Sequence, residues 1–171
     1  MNIQTPAKLV FLVLLAAAGA CTQERGASMN DVLNLSIYID CPPTEVYEFA
    51  SDPRHLPLWA AGLARSKVTR DGDDWVVEAP FGKAKVKFAP NNPFGVLDHD
   101  VQLDSGVTVH NPMRVVPHGE GSEFLFTLIR QPGMSDDKFK QDKEAVQKDL
   151  KTLKGLLERD SKGSYPVRRL K

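Results

Sequence analysis

The sequence predicts an α+β domain over residues 33–160, in which a curved antiparallel sheet of about six to seven strands wraps round a long C-terminal helix. Three observations lead there. Hydrophobicity of period two recurs from Leu33 to Arg130, the pattern of half-buried strands whose successive side chains leave opposite faces. The turns between those runs, such as Asp71-Gly72-Asp73 and His118-Gly119-Glu120-Gly121, are too short for parallel crossovers. After Ser135 the period changes: Phe139, Val146, Leu150, Leu153 and Leu157 make an apolar stripe at helical spacing. A helix cannot bury its stripe alone, nor a sheet one face, so each covers the other.

Leu33, Leu35, Ile37 and Ile39 alternate with polar residues as a first strand, which Pro42-Pro43 ends. Pro43 suits a first helical turn, and Val46, Tyr47, Phe49 and Ala50 follow at helical spacing until Asp52-Pro53. A second short helix is expected from His55 to Leu63, carrying Leu56, Trp59, Ala60 and Leu63. Strands follow around Ala64–Thr69, Trp75–Ala79 and Lys83–Phe88, with a turn at Phe81-Gly82. Lys83, Lys85 and Lys87 share one face, read as the solvent side. Asn91-Asn92-Pro93 and Gly95 mark a loop before a strand from Val96 to Leu103. Val107 to Val116 forms one long run with Pro112 inside it, a sign of an edge or a bulge. Phe124, Phe126 and Leu128 lie on one face of the last strand. Ser135 is a natural N-cap, with Asp136 and Asp137 at the positive end of the helix dipole.

The ends differ in kind. Lys8, the apolar run Leu9–Ala18 and the small residues before Cys21 form the three-part pattern of a secretory signal over residues 1–20. The run is shorter than the roughly 20 apolar residues of a spanning helix. Cys21 after small residues resembles a bacterial lipobox, so Cys21 is the expected lipidation site and the chain an exported lipoprotein at the periplasmic side of a membrane. Plain secretion is one alternative; a true start at Met29, giving a cytoplasmic protein, is another. Residues 21–32 read as a flexible tether and residues 161–171 as a disordered tail.

Lys plus Arg and Asp plus Glu both number 22, so the net charge is zero, against nucleic-acid binding. The two cysteines, Cys21 and Cys41, give no disulfide framework, and the four histidines lack carboxylates at ligand spacing, so no metal is expected. The absence of a phosphate loop or dinucleotide fingerprint leaves no cofactor to expect.

The segment from Ile37 through Asp40-Cys41-Pro42-Pro43-Thr44-Glu45-Val46-Tyr47 to Phe49, followed by Asp52-Pro53 and Leu56-Pro57-Leu58-Trp59, resembles the opening of the START-like (SRPBCC) superfamily, the polyketide cyclase/dehydrase and lipid-transport group. Asn92-Pro93-Phe94-Gly95 and Arg130-Gln131-Pro132-Gly133 are similar to segments of bacterial members. The resemblance covers about residues 33–160. It implies a helix-grip fold with a deep cavity between sheet and C-terminal helix, in which members bind lipids, sterols, hormones or polyketides, some with catalysis.

Alternation places Val77, Val86, Phe88, Leu97, His99, Val101, Val109, Asn111, Met113, Phe124, Phe126 and Leu128 inward, with Trp59 and Trp75 expected at the mouth. That is the make-up of a small-molecule site. His99 and Asn111 are its polar exceptions, either satisfied core groups or a general base and a holder of a carbonyl or enolate oxygen. Three functions follow: a carrier of a small hydrophobic (lipid-like or aromatic) molecule, the leading expectation; a cyclase or hydratase using His99 and Asn111; and a protein-interaction module. The sequence does not set the oligomeric state.

Overall fold

The computed structural model describes residues 31–63, 66–79 and 82–161. The signal segment 1–20, Cys21, the tether up to residue 30, the Ala64-Arg65 start of the expected second strand, Pro80 and Phe81 of the expected turn, and the tail from residue 162 lie outside the described residues.

Strand β1 (Val32–Ile39) leads to helix α1 (Pro43–Ala50) and a short α2 (Leu56–Trp59). β2 (Lys67–Asp71), β3 (Asp74–Ala79), β4 (Gly82–Phe88), β5 (His99–Leu103) and β6 (Thr108–Asn111) follow as a five-stranded antiparallel meander. β7 (Met113–His118) and β8 (Gly121–Ile129) close a three-stranded sheet in the order β1–β8–β7, and α3 (Asp136–Ser161) ends the described chain. The α+β helix-grip architecture is therefore the one expected.

Its details differ in three places. The expected run from Val107 to Val116 is two strands, which raises the number described to eight. Pro112 has no N–H to give a ladder, so the chain leaves β5 there and joins β8; Thr127 N–H donates to the Pro112 carbonyl at 2.9 Å. The side-chain parity survives the corner: Val109 and Asn111 are half-buried, Met113 and Val115 buried, and His110 exposed. The expected strand from Val96 starts late for a related reason. Val96 bridges Arg114, Leu97 N–H donates to Met113 O at 3.0 Å, and only from His99 does the chain pair with β4 and β6. The two sheets thus meet at a seam formed by Val96–His99 and Asn111–Arg114. The expected helix from His55 to Leu63 is also broken. A 3-10 turn at Pro53–His55, four residues of α2 and a second 3-10 turn at Ala61–Leu63 replace it, because Ala60 turns extended, with ψ 101°.

The apolar stripe of α3 is buried as its spacing requires: Phe139, Leu150, Leu153 and Leu157 are inaccessible and Val146 half-buried. The helix lies against β1, β8 and α2. Ser135 Oγ accepts from Lys138 N at 3.3 Å at its start. Arg130 ties the end of β8 to this turn, pairing with Asp31 at 3.1 Å and Asp136 at 2.6 Å and lying 4.6 Å over the Phe139 ring. Ile39, Val46 and Phe124, all 0 % exposed, fill the layer between helices and sheet.

Candidate functional site

Directly opposed residues in an antiparallel pair project from the same face, so the register of the meander writes out its inner wall. One row runs Arg70, Trp75, Val86, Val101, Val109; a second runs Val68, Val77, Ala84, Leu103; a third runs Phe88, His99, Asn111. The outer face carries Lys83, Lys85 and Lys87, all exposed. Lys83 pairs with Glu78 at 3.3 Å and Lys85 with Asp71 at 3.9 Å. The inward set expected from alternation divides into two walls. Val77, Val86, Phe88, His99, Val101, Val109 and Asn111 belong to the meander, Met113, Phe124, Phe126 and Leu128 to the sheet that α3 covers, and Leu97 to the seam.

His99 and Asn111 are opposed across β5 and β6. The His99 ring is buried and stacks on Phe88, centroids 4.6 Å apart and planes 17° apart. Burial pushes its imidazole down to about 4, so at neutral pH it carries no charge. Its Nδ1 lies 3.4 Å from the Leu97 carbonyl. A carbonyl only accepts, so Nδ1 holds the proton and Nε2 keeps its lone pair. The neighbouring carboxylates serve other partners. Asp98 accepts from Met113 N–H at 2.9 Å and from the Arg114 guanidinium; burial acts to raise its carboxyl, but these donors and the Arg114 charge hold it below the usual range. Asp100 meets His110 Nδ1 at 2.7 Å on the outer face. Neither orients His99.

A groove of about 530 Å3 opens beside this wall. Tyr47, Glu48, Asp52 and Arg54 form its helical side; Arg70, Trp75, Phe88 and Leu97 form its sheet side. Phe88 belongs to both features, lining the groove and stacking on His99. On the rim, burial acts to raise the Asp52 carboxyl, but hydrogen bonds from the Arg54 side chain and N–H outweigh it and hold it low. Arg70 spends its Nε–H on the Gly72 carbonyl at 3.0 Å. A smaller groove of about 320 Å3 lies between α1, the loop 91–95 and β7. Asn92 braces that loop through Phe94 N, Val96 N, Val96 O and Pro90 O, while its own N–H donates to Tyr47 Oη at 2.9 Å.

Trp75 lines the larger groove, but Trp59 does not stand at a mouth. It is 5 % exposed, packed edge-on to Phe124 with centroids 6.3 Å apart. The break after α2 turns this side chain into the layer under α3. Sequence reasoning missed Tyr47, Arg54 and Arg70 as groove residues. For Arg70 a signal existed, since it shares parity with the inward Val68. Among the described residues no three His, Cys, Asp or Glu side chains converge as metal ligands, and no helix is long and apolar enough to cross a membrane.

A sequence profile of the family described as polyketide cyclase / dehydrase and lipid transport matches residues 32–158. Among curated proteins none matches. Similar solved structures include the protein XoxI from Bacillus cereus, at 15 % identity and a TM-score of 0.60, covering 76 % of this chain and 97 % of that one. Protein CV1439 from Chromobacterium violaceum is 17 % identical with a TM-score of 0.58, covering 75 % of this chain and 98 % of that one. DynU16, a putative protein in the dynemicin biosynthetic locus, is 18 % identical with a TM-score of 0.58, covering 75 % of this chain and 47 % of that one. At such identities the likeness is one of fold.

Proposed function

The chain belongs to the polyketide cyclase/dehydrase and lipid transport family, part of the START-like superfamily, and from that premise we propose that it binds a small, largely apolar molecule against the inner sheet face. The observation that carries this reading is the composition of the wall. Past Arg70 at its edge, the row Trp75, Val86, Val101, Val109 is apolar, and the groove of about 530 Å3 reaches it through Trp75, Phe88 and Leu97. Apolar walls with few polar groups are what small-molecule sites offer.

The opposed His99 and Asn111 support a second reading, in which the ring acts as a base and the amide holds an oxygen. The electrostatics favour the first. A general base works best with a pKa near the operating pH, and His99 holds a proton only below about pH 4. A neutral imidazole there serves better as a hydrogen-bonding wall group than as a proton acceptor.

Native mass spectrometry of the purified chain, followed by solvent extraction, tests the proposal. A stoichiometric apolar adduct, lost on Phe126→Asp, is expected. A bare mass with no uptake of naphthalene-like probes would overturn it. The N-terminal segment adds a location to the proposal: export and acylation at Cys21 would hold the binding domain at a membrane surface. The mass of the mature N-terminal peptide tests that part.

A further inference from the structure

Arg70 breaks the character of the inner wall. It heads the row that continues through Trp75, Val86, Val101 and Val109, directly opposite Trp75, and both Arg70 and Trp75 line the larger groove. Among the described residues, Arg54, Arg114 and Arg130 each hold a carboxylate, of Asp52, Asp98 and Asp136 in turn. Among the same residues Arg70 holds none, although Asp71, Asp73 and Asp74 stand on the adjoining turn; Asp71 lies instead 3.9 Å from Lys85. The Arg70 Nε–H donates to the Gly72 carbonyl at 3.0 Å. A guanidinium carries five N–H donors in a rigid fork. The Gly72 bond orients that fork and leaves uncommitted the Nη edge, which takes the two oxygens of a carboxylate side by side.

We propose that Arg70 makes the larger groove selective for a monocarboxylate: the acid group pairs with the Nη edge at the rim, and the apolar body lies along Trp75, Phe88 and Leu97. This rests on the binding reading above and narrows it. Arg54 does not compete for the acid, because the Asp52 carboxylate takes its Nε and Nη2. Glu48 and Asp52 place two carboxylates on the opposite, helical side of the groove, and Arg54 matches one of them. The remaining charge sets the valence of the ligand: one guanidinium accommodates a single carboxylate there, whereas a dianion such as a phosphate monoester meets repulsion that Arg70 alone does not offset. Because Arg70 is exposed, its ion pair acts on selectivity, and the apolar wall supplies the bulk of the affinity.

The probes are 2-naphthoate and 2-naphthamide, alike in shape and differing in charge, titrated calorimetrically into the purified chain. The chain has two tryptophans, so a proton–nitrogen correlation spectrum of the nitrogen-15-labelled chain shows two indole signals, and Trp75→Phe assigns that of Trp75. Both probes are expected to move it. The acid should bind about two- to fivefold tighter than the amide at about 20 mM salt, the range of one ion pair open to solvent, and the preference should shrink at about 500 mM. In Arg70→Gln the preference should fall to near one or below. In Lys83→Gln, which removes the same charge from the outer face, it should persist, and in Glu48→Gln it should rise. Equal binding of the two probes by the unaltered chain overturns the inference and leaves the binding reading standing. So does a preference that Arg70→Gln and Lys83→Gln diminish alike, because the acid then responds to net charge and not to this residue. If neither probe binds, the binding reading fails and this inference with it.

Discussion

Asn111 stands directly opposite His99 across β5 and β6, which, among the described residues, sets the only histidine of the inner wall beside its only amide. Opposed positions of an antiparallel pair hold their Cβ atoms roughly 4.5–5.5 Å apart. The two groups therefore form one polar spot beside the apolar Trp75, Val77, Val86, Val101 and Val109, with Arg70 at the far edge of the same face. The stack of Phe88 on His99 covers one face of the ring and accounts for part of the burial that keeps it neutral.

That neutrality has a sign in stability. Below about pH 6.5 the unfolded chain protonates this histidine, while the folded domain refuses the proton until about pH 4. Stability is therefore expected to decline as pH falls through that window, by roughly 3 kcal/mol in full if His99 stays buried. Urea unfolding at pH 7 and pH 4.5 checks it against His99→Phe. The substitution should remove this part of the decline and leave the part due to carboxylates. Equal pH dependence in both proteins would mean that His99 titrates as an exposed group.

The same variant separates binding from catalysis. His99→Phe keeps an aromatic ring against Phe88 and deletes both nitrogens. If the histidine is wall, affinity for an apolar probe should change by less than about tenfold, the range of one neutral hydrogen bond. If it is a base, turnover of a cyclase- or hydratase-type substrate should vanish with binding intact, and Asn111→Ala should do the same. Isothermal titration beside an activity assay distinguishes the two.

How far this wall was legible depended on which contacts are local. Alternation assigned His99, Val101 and Leu97 to one face and Asp98 and Asp100 to the other, because strand parity is a property of the chain itself. It could not reveal that Asn111 stops opposite His99, since register depends on the turn at Asp104–Gly106 and on pairing with β4. Pro112 was readable as a disturbance but not as a corner between sheets; that needs β8, whose Thr127 takes the Pro112 carbonyl. Trp59 was misplaced because α2 is one turn long, and its direction is set by α3 and Phe124 rather than by its own periodicity. Tyr47 was placed on the apolar face of the first helix, yet its hydroxyl receives the amide of Asn92, 45 residues away.

The loop that Asn92 braces leads to a second prediction about folding. Gly95 has φ +69°, and a Cβ there would lie 2.0 Å from the Val115 carbonyl oxygen, a backbone atom that cannot swing aside. Val115 N–H also donates to Gly95 O at 2.9 Å. Gly95→Ala is expected to cost about 2–4 kcal/mol, combining left-handed strain with a displaced strand. Gly72 has φ +62° with nothing within 4 Å of a Cβ, so Gly72→Ala should cost only about 1 kcal/mol. Chemical denaturation of the pair checks the contrast. Similar losses at both positions would show that the Gly95 loop yields.

Asp98 and Arg114 form an ion pair at the seam between the sheets, but their removal should not cost the same. Asp98 also accepts the backbone N–H of Met113 at 2.9 Å, where the chain changes sheets and no strand partner takes over. Asp98→Ala leaves that amide without its acceptor, an expected loss of about 1–3 kcal/mol. Arg114→Ala removes a side chain 41 % exposed and leaves Met113 bonded, so its cost should stay below about 1 kcal/mol. Hydrogen exchange reads the difference at one site: the Met113 amide should exchange faster in Asp98→Ala and nearly as in wild type in Arg114→Ala. Faster exchange in both would mean that the guanidinium, rather than the amide, holds the carboxylate at the corner.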